Sequence, residues 1–213
     1  MLSQAGGEKK EAPKAGMSAA AGHATVIFVH ASPDTANADI YVNDKKVGTI
    51  AYGKAESKEI DAGSAKIELK SGDKSVVSTT TTVAADKNYT IVVTGKTGMV
   101  KAEAIEAKYT MGKGHATIVN ALADPIDINV DGKSAKAGLA AGQKFDADWD
   151  AGKHKVDIMS GSAAAIASKD IETKADAAYV IVASGSATGT PKAELIVASH
   201  GPMKKAAPAP EKK

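Results

Sequence analysis

Short stretches in which apolar and polar residues alternate run along most of the chain, and they predict β-strands. Residues 66–70 and 127–131 alternate strictly, which places one face of each strand in a core and the other in water. No segment shows a long apolar pattern at helical spacing. In the first half of the chain the pattern predicts eight strands, near residues 24–31, 39–43, 46–52, 57–61, 64–71, 76–83, 89–94 and 100–107. Short, closely spaced strands of this kind are typical of a β-sandwich or a barrel.

The same pattern occurs twice along the chain. Four segments recur in the same order at offsets of 88 to 92 residues: 22–27 as 114–119, 39–43 as 127–131, 60–63 as 149–152, and 89–93 as 179–183. Such self-similarity indicates an internal duplication. We therefore predict two tandem antiparallel β-sandwiches, over residues 22–110 and 114–200.

The turns between the predicted strands carry suitable residues. Asp131-Gly132 suits a hairpin turn, because both residue types tolerate positive φ. Residues 127–132 also match the first half of an EF-hand loop, but Gly138 stands where that loop needs a bidentate Glu, so we predict a strand and turn there. Tyr89 and Tyr179 each begin a late apolar strand, which predicts a tyrosine corner in both repeats.

The residues outside the repeats have a different composition. Residues 1–21 and 201–213 are rich in Ala, Lys, Gly and Pro, which predicts a flexible leader and a flexible tail of the kind that holds a domain away from a surface. They also carry the net charge of +2, with +1 on the leader and +3 on the tail, which leaves −2 on residues 22–200.

Three absences exclude classes of function. All 27 basic residues are Lys, and without the bidentate guanidinium of Arg we expect no nucleic-acid binding. The chain has no Cys, which excludes disulfides, thiol nucleophiles and Cys-based zinc sites. No run of apolar residues is long enough for a membrane span, and no signal peptide is visible in the chain.

Two segments of the first repeat resemble a known family. The sequence His-Ala-Ser-Pro-Asp at 30–34, followed by Ala-Asp-Ile-Tyr-Val-Asn at 38–43, is similar to the opening of the domain-of-unknown-function family 4397, found in bacterial and archaeal envelope and secreted proteins. The second repeat is less similar, since Asn-Ala-Leu-Ala-Asp stands at 120–124 and the following loop is two residues shorter. The resemblance implies immunoglobulin-like sandwiches and an extracytoplasmic location, and the family brings no established activity.

The residues of this motif are the first candidates for a site: His30, Ser32, Asp34 and Asp39. In an extended strand His30 and Asp34 lie about 13 Å apart, so a shared ligand requires the turn to fold back. A catalytic serine needs a base and an oxyanion hole that the sequence does not reveal. We predict that Asp34 and His30 cap the turn, and a metal-dependent site at these two residues is the weaker alternative.

A second candidate is a pair of aromatic residues in the second repeat. Phe145 and Trp149 are four residues apart and point to the same face of a strand. If they are exposed they form a platform for stacking sugars, and if they are buried they belong to the core, which we favour because that repeat has few other large residues.

Together these features predict a non-enzymatic, extracytoplasmic tandem β-sandwich protein that acts as a cell-envelope, matrix or adhesion module, with a cell-surface polymer or another envelope protein as its partner. The alternative is a carbohydrate-binding module that uses Phe145 and Trp149. We expect no cofactor, no metal and no catalytic residues. The lysines of residues 66–70 would discourage pairing at an open sheet edge, which favours a monomer.

Overall fold

The computed structural model describes residues 22–96, 98–161, 163–186 and 190–202. The described residues form strands and no helix, and they confirm the two tandem β-sandwiches. The first sandwich contains β1 (His23–Ala31), β2 (Asn37–Val42), β3 (Lys45–Ala51), β4 (Ala55–Asp61), β5 (Gly63–Ser71), β6 (Lys74–Val83), β7 (Asn88–Thr94) and β8 (Lys101–Glu106). The second contains β9 (Gly114–Asn120), β10 (Ile126–Val130), β11 (Lys133–Leu139), β12 (Lys144–Trp149), β13 (Gly152–Ser160), β14 (Ala163–Thr173), β15 (Ala177–Ser184) and β16 (Glu194–His200). The predicted leader, and the tail beyond Pro202, lie outside the described residues.

Each sandwich consists of two four-stranded sheets. The first repeat has the orders β4-β1-β7-β8 and β3-β2-β5-β6, and the second has β12-β9-β15-β16 and β11-β10-β13-β14. All pairs are antiparallel except β1 with β7 and β9 with β15, which are parallel. The two repeats therefore have the same topology, as their sequence similarity predicts.

The two sandwiches confirm the predicted fold class, and their strand order differs from that of an antibody domain. An immunoglobulin sheet places its first, second, fifth and fourth strands side by side. Here β2 and β5 lie in the sheet opposite β1, because the turn at residues 32–36 carries the chain across to that sheet. The edge of β1 at which β2 would lie in a β1–β2 hairpin is paired with β4.

Each sandwich has its own apolar core between its two sheets. In the first, Phe28, Ile67 and Ile91 are among the fully buried side chains, and in the second Ile118 and Ile158 are. These cores consist mainly of Val, Ile and Ala, in line with the low aromatic content.

The two predicted tyrosine corners are confirmed. The hydroxyl of Tyr89 accepts a hydrogen bond from the N–H of Ala84 at 3.1 Å, and the hydroxyl of Tyr179 accepts one from the N–H of Lys174 at 2.8 Å. Both rings are buried, so each hydroxyl ties the start of its strand to the preceding loop.

A third apolar cluster joins the two sandwiches. The sheet that contains β1 and β7 packs face to face against the sheet that contains β9 and β15, so that the four sheets form one stack. The residues of this interface are Ile27, Val29, Ala31, Val92 and Ile105 from the first repeat, and Val119, Val180, Val182, Ile196 and Ala198 from the second. The inner strands are consequently buried on both faces, which explains why β1, β7, β9 and β15 are nearly continuous apolar runs.

Polar contacts cross the same interface. His200 and Thr90 are hydrogen-bonded through Nε2 and Oγ1 at 3.0 Å, and the Ser184 hydroxyl donates to the carbonyl oxygen of Ala31 at 2.9 Å. At the periphery, Lys108 pairs with Asp146 at 2.5 Å. Thr90, Ser184 and His200 therefore have hydrogen-bond partners although they are buried in the interface.

The expected protection of a sheet edge by lysines is wrong. The lysines of residues 66–70 lie on β5, which is an interior strand between β2 and β6, so they do not protect a sheet edge. The edges of that sheet are β3 and β6. The charge pattern of β5 is therefore no evidence for a monomer.

No helix in the described part of the chain is long and apolar enough to cross a membrane.

Candidate functional site

The loops of both sandwiches meet at one end of the stack and enclose a cleft. Strands β1, β7, β9 and β15 all run toward this end, and the loops that follow them come together across the interface. The cleft has a volume of about 540 Å³, which is in the range of small-ligand sites. It is lined by residues 33–34, 95–96 and Met99 of the first repeat and by 121–124, Ser160, 185–186 and 190–191 of the second.

The two repeats supply equivalent positions to the cleft. At an offset of 90 residues, Asp34 corresponds to Asp124, and both side chains line the cleft and are exposed. Lys96 corresponds to Ser186, so among the described lining residues the ammonium group comes from the first repeat. The result is a site with two matched carboxylates and one cation, set between apolar groups such as Leu122.

Gly95 and Gly185 hold equivalent places beneath these loops. Their φ angles are 99° and 107°, which L side chains rarely adopt. A Cβ would lie 2.5 Å from the carbonyl oxygen of Met99 at Gly95 and 2.7 Å from that of Lys192 at Gly185. Only glycine fits at both positions, and this lets the loops turn back tightly against the cleft.

His30 belongs to the turn below the cleft. Its side chain is fully buried, its Nε2–H donates to the carbonyl oxygen of Thr35 at 2.8 Å, and Nδ1 faces the N–H of Ser32 at 3.5 Å. Burial lowers the pKa of His30 below its ordinary value, against the opposing effect of the Thr35 hydrogen bond. The imidazole is therefore neutral at pH 7, and it holds the turn that carries Asp34.

Asn120 has the same place in the second repeat. Its amide donates to the carbonyl oxygens of Asp124 and Leu139, both at 2.9 Å, and its Oδ1 accepts from the N–H of Leu122 at 2.9 Å. The amide thus offers one donor group and one acceptor in the directions used by the two ring nitrogens of His30. The two motifs therefore differ in the residue, His30 or Asn120, but the turn has the same geometry in both.

The structure does not bring the four motif residues together. His30 and Ser32 are buried in the turn, whereas Asp34 is exposed and lines the cleft. Asp39 lies on β2, where its carboxylate binds Lys46 at 2.7 Å and Thr49 at 2.6 Å, and these bonds lower its pKa. Both ring nitrogens of His30 face the backbone, so they do not point at a ligand shared with Asp34. Among the described residues no group of three or more His, Asp or Glu is placed to hold a metal ion.

The two aromatic candidates lie on the core side of the second sandwich. Trp149 is 7% exposed, and Phe145 is partly buried and packs against the same core cluster. The Trp149 ring also contacts His154 in a tilted arrangement, with 5.4 Å between the ring centroids. A ring buried in this way has no face for a sugar, so the carbohydrate-binding alternative at these two residues loses its platform.

The sequence does not predict most of the cleft, although it contains two pairs of equivalent residues that belong to it. Asp34 with Asp124, and Gly95 with Gly185, are visible as pairs once the repeats are aligned at 90 residues. What the alignment does not contain is the packing of one inner sheet on the other, which brings the two sets of loops to the same end.

A comparison with protein families supports the resemblance for the first repeat. The sequence model of the family described as "Domain of unknown function (DUF4397)" matches residues 24–118, which cover the first sandwich and the beginning of β9. The matched range includes the turn at His30 and one half of the cleft. A search of curated proteins found no match.

Proposed function

We propose that the protein is a non-enzymatic binding module of the cell exterior that holds its ligand in the cleft between the two sandwiches. The observation that carries this proposal is the convergence of equivalent loops from both repeats on one cleft, with Asp34 and Asp124 at matched positions. Binding sites commonly occur at domain interfaces and combine apolar walls with a few polar groups.

The surroundings of the cleft favour binding over catalysis. Asp34 and Asp124 are exposed to water, whereas catalytic sites commonly exclude water from the reacting groups. His30, the nearest histidine in sequence, is engaged with the backbone of its turn and does not line the cleft. These carboxylates are therefore assigned to hydrogen bonds and charge pairing with a ligand.

The positions of Gly22 and Pro202 support display at a surface. Gly22 precedes β1 and Pro202 follows β16, and both lie at the end of the stack opposite the cleft. A molecule attached through the segments before or after the sandwiches would present the cleft away from its attachment. The family resemblance and the Lys- and Pro-rich terminal segments support an extracytoplasmic location, in the cell envelope or its matrix.

The lining of the cleft indicates the chemistry of its ligand. Carboxylates accept hydrogen bonds from hydroxyl and ammonium groups, while Pro33, Leu122 and Pro191 offer apolar contact. No aromatic residue is among the lining residues in the described part of the chain, so ring stacking has no role in this site. A cell-surface polymer or an envelope protein with hydroxyl or ammonium groups fits these contacts.

The test is a binding screen of the full chain against glycan arrays and purified cell-surface polymers, followed by a double variant. Replacing Asp34 and Asp124 with Asn should weaken binding by about tenfold or more, because hydrogen bonds to charged groups contribute about 1.5–3 kcal/mol. Asp61→Asn is the matched control, since this exposed carboxylate lies at the opposite end of the stack. Binding that survives the double variant places the ligand elsewhere, and turnover of a screened substrate would overturn the non-enzymatic proposal.

A further inference from the structure

The sheet edges of the protein differ in how well they are protected. Edge strands expose unpaired backbone groups, and proteins usually guard them with charged side chains, Pro or bulges. All eight edge strands among the described residues follow this rule in some form. Acidic or basic residues lie within β3, β4, β8, β11, β12 and β14. On β16 the ammonium group of Lys169 donates to the carbonyl oxygen of Leu195 at 2.7 Å and covers the edge.

Strand β6 has this protection only at its first residues, where Lys74 lies and the pairing with β5 has a bulge at Val76. Residues 75–83 form nine consecutive positions without a charge, a Pro or a Gly, and seven of the nine are Val or Thr. Such β-branched residues favour extended pairing. Lys74, at the first residue of the strand, is its only charged side chain. The far edge of β6 is unpaired among the described strands.

We infer that β6 is a self-association edge, on which β6 of a second copy of this chain adds in the antiparallel direction. The pairing is self-complementary around Thr80. Thr80 then faces Thr80 of the second copy, Thr79 faces Thr81, and Val77 faces Val83. Val77, Thr79, Thr81 and Val83 share the core side of the sheet, because they pair with Leu69, Ile67, Ala65 and Gly63 of β5. Each inward residue therefore meets an inward residue of similar size, and no like charges meet.

The product is an eight-stranded sheet with a two-fold axis, in which the interface is the same on both copies. The leader of the same chain is a poorer occupant for this edge, although Gly22 lies beside Ala85, just beyond β6. Residues 1–21 contain a Pro, three Gly and five charged residues, a composition that disfavours a strand. A strand-to-strand contact alone is small, so we expect a weak dimer with a dissociation constant in the micromolar to millimolar range.

Sedimentation velocity of the full chain, from about 1 µM to 1 mM, tests this inference. A concentration-dependent dimer is expected. Thr80→Lys should raise its dissociation constant at least about tenfold, because it places two ammonium groups directly opposite each other. Ser64→Lys is the matched control, since it adds the same charge to the same face of the sheet on interior strand β5, opposite Thr82.

A mixing experiment separates lost pairing from lost folding. Thr80→Glu should also be monomeric alone, and a mixture of Thr80→Lys with Thr80→Glu should recover the dimer through opposite charges. A wild-type chain that stays monomeric up to 1 mM overturns the inference. So does a dimer that Thr80→Lys leaves unchanged, or a mixture that fails to recover when circular dichroism shows both variants folded. No residue of β6 lines the cleft, so these results are independent of the binding tests at Asp34 and Asp124.

Discussion

At the scale of single residues, the turn at 30–35 shows how a conspicuous motif is used for structure. The His30 ring forms hydrogen bonds with backbone groups of the turn that have no backbone partner there. Its Nε2–H donates to the carbonyl oxygen of Thr35. Asn120 makes the corresponding bonds in the second repeat with a smaller side chain. The turn therefore needs a side chain with one hydrogen-bond donor and one acceptor in these directions. It does not need a basic group.

This equivalence predicts how the motif responds to substitution. His30→Ala should lower the free energy of unfolding by about 1–3 kcal/mol, because it leaves the buried carbonyl oxygen of Thr35 without its donor. His30→Asn should lose less, since an amide keeps one donor and one acceptor. Urea denaturation followed by circular dichroism measures both, with the exposed His23→Ala as control. If His30→Ala leaves the stability unchanged but abolishes metal or ligand binding, the result would favour the alternative of a metal-dependent site at His30 and Asp34.

His200 gives a second prediction at this scale. Its burial at the interface lowers its pKa from 6.5 to about 4. Between these values the unfolded chain binds a proton that the folded chain does not, so stability falls as the pH is lowered from 6.5 toward 4, by up to about 3 kcal/mol. His200→Gln removes the titrating group and should flatten this part of the stability profile.

Chemical denaturation at pH 7, 6, 5 and 4 checks the comparison. His30 has a lowered pKa as well, so the variant retains part of the slope, and the informative quantity is the difference between the two proteins. Identical profiles for wild type and His200→Gln would show that protonation of His200 does not weaken the interface.

At the scale of the elements, the residue pattern predicts the strands well. The eight strands expected in the first repeat are all observed, with ends that differ by a few residues. Alternation identifies half-buried strands such as β2 and β5, because one face of each meets water. The EF-hand-like segment is strand β10 followed by a turn with positive φ at Asp131 and Gly132, as the missing Glu indicates.

What the pattern could not supply is the neighbour of each strand. The alternation of residues 66–70 identifies a strand but contains no information on whether it lies at an edge, and β5 is interior. The continuous apolar run of β7 indicates burial on both faces, yet the second covering layer comes from the other repeat. Edge position and sheet-on-sheet packing are tertiary properties, and for this reason the cleft and the uncharged edge of β6 beyond residue 76 became visible only in the structure.

At the scale of the whole molecule, the two sandwiches are halves of one stack. The interface cluster is as apolar and as fully buried as the cores, and Val29 and Val182 have no exposed surface. Separating the sandwiches would return this surface to water at a cost of about 25 cal/mol per Å². Because both sets of loops are fixed by this contact, the geometry of the cleft depends on it too.

Coupled sandwiches should unfold together, and the protein's single tryptophan offers the measurement. Trp149 lies in the core of the second sandwich, so its fluorescence reports on that repeat. Val26→Ala removes two methyl groups from the core of the first sandwich and should cost roughly 2 kcal/mol. If the interface couples the repeats, this substitution shifts the Trp149 transition in urea as much as the transition seen by circular dichroism. Adding Val182→Asp places a charge in the interface and should abolish this shift of the Trp149 transition. If Val26→Ala alone leaves the Trp149 transition unchanged, the two sandwiches unfold as independent domains.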